Sequence, residues 1–169
     1  MRRILGIDPG SRVTGYGIIV SDGIRSRHIA SGSIRLGGEE FPVRLGEIYR
    51  RVAGLVAEYA PEELAIEQVF VARNPSSALK LGQARGAAIC AAVVAGLTVS
   101  EYTPRMIKQS VVGIGSADKE QVQHMVRRIL GLQEELASDR ADALAVAISH
   151  AHSSSMRFSA GSVTAGRRS

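Results

Sequence analysis

Cysteine is almost missing from this chain. Cys90 is the only one in 169 residues, so no disulfide can close within it. Alanines and valines surround Cys90, which reads as a small buried hydrophobe rather than a reactive thiol. Long apolar runs are missing too, so no segment is suited to cross a bilayer as a helix. Arg2 and Arg3 lead straight into a short strand-like run and an acidic turn, which is not the pattern of a signal peptide. A reducing cytoplasm is the expected setting. Lysine is scarce: only Lys80, Lys108 and Lys119 among 21 cations, a bias of composition with little function in it.

What is present suits one domain with a core of its own. Apolar residues make up 45% and charged residues 22%, the balance of an ordinary globular chain. The 21 cations exceed the 16 acids, giving a net charge of +5. Setting aside the four acids singled out below leaves 21 − 12 = +9 on the rest. A basic body around an acidic focus suits a polyanion with a metal at the chemistry.

Ile4 to Ile7 is a short apolar run ended by Asp8-Pro9-Gly10, a buried strand entering a tight turn. Thr14–Val20 and Arg25–Ile34 flank Ser21-Asp22-Gly23, the signature of a hairpin. From Pro42 onward Leu45, Ile48, Tyr49, Val52, Leu55, Val56 and Tyr59 recur at helical spacing, with Pro61 beyond the end. Leu64 to Ile66 is a strand that delivers Glu67 at its end. An Ala- and Gly-rich helix follows over Ser76–Ala95, then a fifth strand over Leu97–Tyr102. Thr103-Pro104 starts a short helix that Gly113 and Gly115 break. Val122, Met125, Val126, Ile129 and Leu130 mark the next helix, closed by Gly131. Ser138 caps the last, which is expected to run to about His150. Residues 153–169, rich in Ser and Gly with three Arg and no acid, read as a disordered basic tail behind a domain of residues 1–152. The order β-β-β-α-β-α-β-α-α-α implies an α/β domain on a mixed sheet of five strands flanked by helices.

Asp8 and Glu67 each end a strand expected to be buried, so their carboxylates can converge where the backbone turns away. Asp139 and Asp142 are three apart in the first turn of a helix and share a face. Like charges so placed repel. The helix N-terminus relieves part of that cost, and a divalent cation relieves more. An all-oxygen cluster suits a hard ion such as Mg²⁺. Each acid also has a plainer reading. Asp8 can serve its turn, and Asp139 and Asp142 their helix dipole, while Glu67 is hard to place at a strand end unless paired. On pattern alone a metal site and structural acids remain about equally good. His28, His124, His150 and His152 are not assigned to metal.

Five runs carry a resemblance: Gly6-Ile-Asp-Pro-Gly-Ser-Arg-Val-Thr-Gly-Tyr-Gly17, Ala65-Ile-Glu-Gln-Val-Phe70, Ser77-Ala-Leu-Lys-Leu-Gly-Gln-Ala-Arg-Gly86, Lys108-Gln109 through Val112-Gly-Ile-Gly-Ser116, and Asp139-Arg-Ala-Asp-Ala-Leu-Ala145. Together, in this order, they are similar to the RuvC family of bacterial Holliday-junction resolvases, from residue 4 to about 150. The resemblance implies an RNase-H-like fold, a homodimer and paired symmetric nicks in a four-way DNA junction during recombination and repair. It also implies work beside the RuvA–RuvB branch-migration complex. Asp8, Glu67, Asp139 and Asp142 match the family's catalytic, metal-holding acids. They imply Mg²⁺, two ions about 4 Å apart per site, with Mn²⁺ able to substitute. Lys108 and Lys119 match basic residues at the scissile region, and Phe70 matches an aromatic that stacks on bases. Arg73, Lys80 and Arg85 join Phe70, Lys108 and Lys119 as candidate DNA contacts.

Three other readings compete. One is an RNase-H-like nuclease for RNA or simple duplex, and another is a junction-binding module without catalysis, which four intact acids oppose. The third is an ATP-binding protein, since Gly6-Ile-Asp-Pro-Gly-Ser resembles the phosphate loop of the actin and sugar-kinase fold. That fold needs two such domains and a second Asp-x-Gly loop, beyond what 169 residues supply.

Overall fold

The computed structural model describes residues 1–38, 40–69 and 74–162, with side chains described as far as residue 154. Three strands open the chain, β1 (Arg2–Asp8), β2 (Val13–Ser21) and β3 (Ser26–Arg35). They are followed by α1 (Phe41–Tyr59), β4 (Glu63–Glu67), α2 (Pro75–Val94) and β5 (Thr98–Tyr102). Three helices complete it: α3 (Pro104–Val112), α4 (Lys119–Leu130) and α5 (Ser138–Ser162). The sheet order is β3-β2-β1-β4-β5. β1, β2 and β3 pair antiparallel, whereas β4 pairs parallel with both β1 and β5. This is the mixed five-stranded arrangement flanked by helices that the element order implied.

Strand alternation sorts the side chains onto two faces. Leu5, Ile7, Leu64 and Ile66 point to one face, where they pack with Ile48, Val52 and Leu55 of α1 and Ala84, Ala88 and Ala91 of α2. Ile4 and Ala65 point to the other, against α5 and beyond it α3 and α4. Asp8 follows Ile4 at even spacing and Glu67 follows Ala65, so both belong to the α5 face.

Close approach to that face is bought with glycine. A Cβ on Gly6 would lie 2.2 Å from the Ala143 carbonyl oxygen, and one on Gly15 would lie 2.1 Å from that of Asp139. Neither distance is possible between non-bonded atoms, so α5 rests on bare backbone of β1 and β2. The alanines of α5 continue the contact: Ala141, Ala143, Ala145 and Ala147 are all fully buried.

Two expectations need revision. Cys90 is exposed, because the buried stripe of α2 runs through Ala84, Ala88, Ala91 and Ala92 and leaves Cys90 outside it. The last helix continues to Ser162, past the end expected near His150. Ser154 lies within the packed part, its hydroxyl donating to the His150 carbonyl at 2.8 Å.

Candidate active site

The carboxyl ends of β1 and β4 lie side by side, with Ile7 opposite Ile66 in register. The next residues, Asp8 and Glu67, therefore leave the sheet as neighbours. On the far side of Asp8, β2 places Gly15 opposite it. The bare Cα of Gly15 admits the backbone of Asp139, so the first turn of α5 comes down beside both acids. Local sequence builds the rest of the rim. Thr103 caps α3 through a bond from the Met106 N–H at 3.1 Å, and Asp118 and Gln121 form a reciprocal capping box that starts α4 at Lys119.

The electrostatics are those of a crowded acid cluster. Burial, then the charges of Glu67 and Asp142, push Asp8 up from the ordinary carboxylate value to about 8. Burial also raises Glu67, reinforced by the charge of Asp142 and opposed by a hydrogen bond with Asp8 and by Lys108 and Lys119. Asp8 and Glu67 thus share a hydrogen-bonded contact that needs a proton between them. Asp142 is compensated differently: its Oδ2 lies 3.0 Å from Lys119 Nζ and accepts from the Ser138 hydroxyl at 3.3 Å. Asp139 keeps a buried Oδ2 with no hydrogen-bond partner.

Glu67, Lys108, Lys119 and Asp142 line one cavity of about 210 Å³, and Asp8 and Glu67 line an adjoining one of about 300 Å³. Glu67 is the wall between them. Asp139 lines neither. Among the described residues no three His, Cys, Asp or Glu side chains close tightly enough to cage an ion as they stand. The acids converge, with Lys119 supplying the positive charge among them. The donor set nonetheless fits a hard divalent ion: it is all oxygen, it is under-neutralised at Asp8 and Glu67, and it includes the orphaned Oδ2 of Asp139.

The other sequence-predicted residues are dispersed. Lys80 is exposed near the start of α2, 5.8 Å from the ring centre of Phe41. Arg85 is turned inward, its side chain 18% exposed and paired with Glu101. Phe70 and Arg73 lie outside the described residues. Sequence reasoning missed Gly15, whose role needs the partner helix to be seen. It also missed Glu101, which carries no local signal.

The family described as "Crossover junction endodeoxyribonuclease RuvC" matches residues 4–150. A protein of that name from Marinobacter nauticus is 59% identical over 152 residues, covering 90% of this chain and 87% of the relative. One from Alkalilimnicola ehrlichii is 57% identical over 157 residues, covering 93% and 95%. Among solved structures, "T. thermophilus RuvC in complex with Holliday junction substrate" superposes with a TM-score of 0.88 at 38% identity, covering 93% of this chain and 97% of the other. The yeast mitochondrial Holliday junction resolvase Ydc2, at 14% identity and a TM-score of 0.65, shares the fold. With matching sequence from residue 4 to 150 and matching architecture throughout, the chain belongs to the RuvC family of crossover junction endodeoxyribonucleases.

Proposed function

We propose that this chain is a Mg²⁺-dependent endonuclease that resolves four-way DNA junctions by paired symmetric nicks, with Asp8, Glu67, Asp139 and Asp142 holding the metal. The observation that carries this reading is the convergence of Asp8, Glu67 and Asp142 with Lys108 and Lys119 at one end of the sheet, in a chain of this family. When bound there, divalent ions supply a water of lowered pKa and a Lewis acid for the leaving oxygen. The chain's own groups do the rest. Asp8 and Glu67 give up the proton they share as the site charges. Lys119 is drawn from Asp142 toward phosphate, and with Lys108 it meets the charge that grows on the phosphoryl oxygens. Lys80, Phe70 and Arg73 are proposed contacts to the DNA arms or the opened bases. Mn²⁺ is expected to substitute for Mg²⁺.

A junction resolved into two ligatable duplexes needs two nicks, and one chain carries one acid cluster, so the working unit is proposed as a homodimer. The outward face of α2 supports this. Leu79 and Val93 are 70% and 56% exposed there, beside Cys90. A Cβ added at Gly82 or Gly86 would meet nothing within 4 Å, so nothing among the described residues requires glycine at either place. Action beside the RuvA–RuvB complex in the cytoplasm completes the reading, and no described helix is long and apolar enough to cross a membrane.

The test presents a labelled four-way junction, a linear duplex and an RNA–DNA hybrid to the protein. Symmetric nicks in the junction are expected with Mg²⁺ or Mn²⁺, and binding without cutting with Ca²⁺, whose looser shell positions water poorly. Equal cutting of the linear duplex, cutting in excess chelator, or nicks confined to one strand would overturn the proposal.

A further inference from the structure

Arg85 carries an assignment that its charge alone does not suggest. Its Nε donates to the main-chain carbonyl of Glu67 at 3.1 Å, and its Nη2 lies 2.7 Å from Oε2 of Glu101. That second contact is an ion pair without hydrogen-bond alignment, since the buried Nη2 has no hydrogen-bond partner. Glu101 stands on β5 opposite Ile66, one residue before Tyr102, which pairs with Glu67 itself. Gln68 continues the tie: its N–H donates to the Tyr102 carbonyl at 2.8 Å and its side-chain amide reaches Glu101 at 3.4 Å.

The consequence falls on one peptide plane. Glu67 is the last residue of β4, and its carbonyl belongs to the peptide that leaves the strand. A strand end is where the backbone frays, and rotation there swings the Cα–Cβ bond that aims the carboxylate. Arg85 comes from α2, on the opposite face of the sheet, and holds that carbonyl with a planar, permanently charged fork anchored on β5. We infer that Arg85, braced by Glu101, is a positioning residue that sets the orientation of the Glu67 carboxylate for metal binding, rather than a contact to DNA. This rests on the proposed reading of Glu67 as a metal-holding acid.

Groups that orient metal-holding residues are worth roughly 10- to 100-fold in metal affinity or activity when removed. Arg85→Lys, Arg85→Gln and Glu101→Gln should therefore raise the half-saturating Mg²⁺ for junction cleavage by about 10-fold. Arg85→Lys is the most informative, because lysine keeps the charge a phosphate contact needs but replaces the rigid two-nitrogen fork with a single nitrogen on a flexible stem. Junction affinity in chelator and its salt dependence should stay as in the unaltered protein, whereas losing a phosphate contact would lower the salt slope by about one. A second readout avoids catalysis: the rise in Tm of the free protein with added Mn²⁺ should need more metal in all three variants. Arg85→Gln and Glu101→Gln combined should do little more than either alone, because the brace acts as one unit. Glu101, 45% exposed, provides a variant that folds if Arg85→Gln does not. An unaltered protein that cuts without metal, or cuts no junction, would sink the reading of Glu67. An unaltered protein that needs metal, beside an Arg85→Lys with the same Mg²⁺ requirement or a weakened, less salt-sensitive junction affinity, would sink the brace.

Discussion

The two ends of the sheet are built from the same three elements and treat charge in opposite ways. At the far end β1 supplies Arg2, β4 supplies Glu63 and α5 supplies His150. Arg2 lies 3.0 Å from Glu63, the other oxygen of Glu63 meets His150 Nε2, and His150 Nδ1 lies 2.8 Å from the Tyr102 hydroxyl. Arg2, Glu63 and His150 are each partnered. At the near end the same elements supply Asp8, Glu67, Asp139 and Asp142, and among the described residues the one ion pair that any of these four acids makes is that of Asp142 with Lys119. A protein able to staple one end so fully has no structural reason to leave the other under-neutralised. That residual repulsion is what the proposed cation would relieve.

The largest effect expected from this contrast is on catalysis. Asp8→Asn, Glu67→Gln or Asp142→Asn, each measured by single-turnover cleavage of a labelled junction, should lose about 1000-fold or more, several kcal/mol at 1.36 kcal/mol per tenfold. Binding of the junction should persist, since the basic surface carries it. Near-normal cleavage by Glu67→Gln at limiting Mg²⁺ would erase the distinction between the two ends.

Next in size is the stapled end. Glu63→Gln leaves Arg2 and His150 without their carboxylate and should cost about 2–3 kcal/mol, or roughly 4–12 °C in Tm for a domain of this length. Cleavage per folded molecule should be unchanged. A Tm like that of the unaltered protein would show the staple to be idle.

The smallest effect is one of sign. Burial raises Glu63, but its bonds to His150 and Arg2 outweigh that and leave it below the ordinary carboxylate value. Its contribution to stability is therefore present above the unfolded carboxylate pKa and is lost as pH falls through the folded one. Asp8, at about 8 when folded, does the reverse. Its contribution is full below the unfolded value and is lost as pH rises toward 8. Thermal melts without metal should show Glu63→Gln blunting the acid-side loss. Asp8→Asn should blunt the alkaline one and raise Tm near pH 8 by about 2–4 °C. An Asp8→Asn protein that melts lower than the unaltered protein at that pH would mean Asp8 is not strained in the free state.

The errors of sequence reading have physical causes. Sequence alone places Cys90 inside because alanines and valines surround it, and a helix with so little amphipathic contrast does not announce which face is buried. α5 was ended near His150 because Ser-rich sequence weakens a helix, yet Ser154 accepts from Arg2 and bonds back to His150, so contacts carry the helix on. Arg85 is expected in sequence as a DNA contact, and nothing within four residues of it names Glu67 or Glu101, so its contacts with them needed the fold.

All ten elements and their order were legible, because periodicity of two or 3.6, caps and turn residues are relations between near neighbours. The four acids stand out as candidates for the same reason, each marked by its place at a strand end or in a helix's first turn, though pattern alone leaves a metal site and structural acids about equally good. Alternation along β1 and β4 even assigns Asp8 and Glu67 to one face. What only the tertiary structure decided is which of them meet. Asp8, Glu67 and Asp142 interact while Asp139, three residues from Asp142, keeps a separate buried oxygen. Glu63 and Glu67 sit four residues apart on one strand with the same side-chain chemistry. One is neutralised and the other is not, because Arg2 and His150 reach the first while Asp8 and Asp142 crowd the second. Those partners are set by the path of the chain through space, which local pattern does not record.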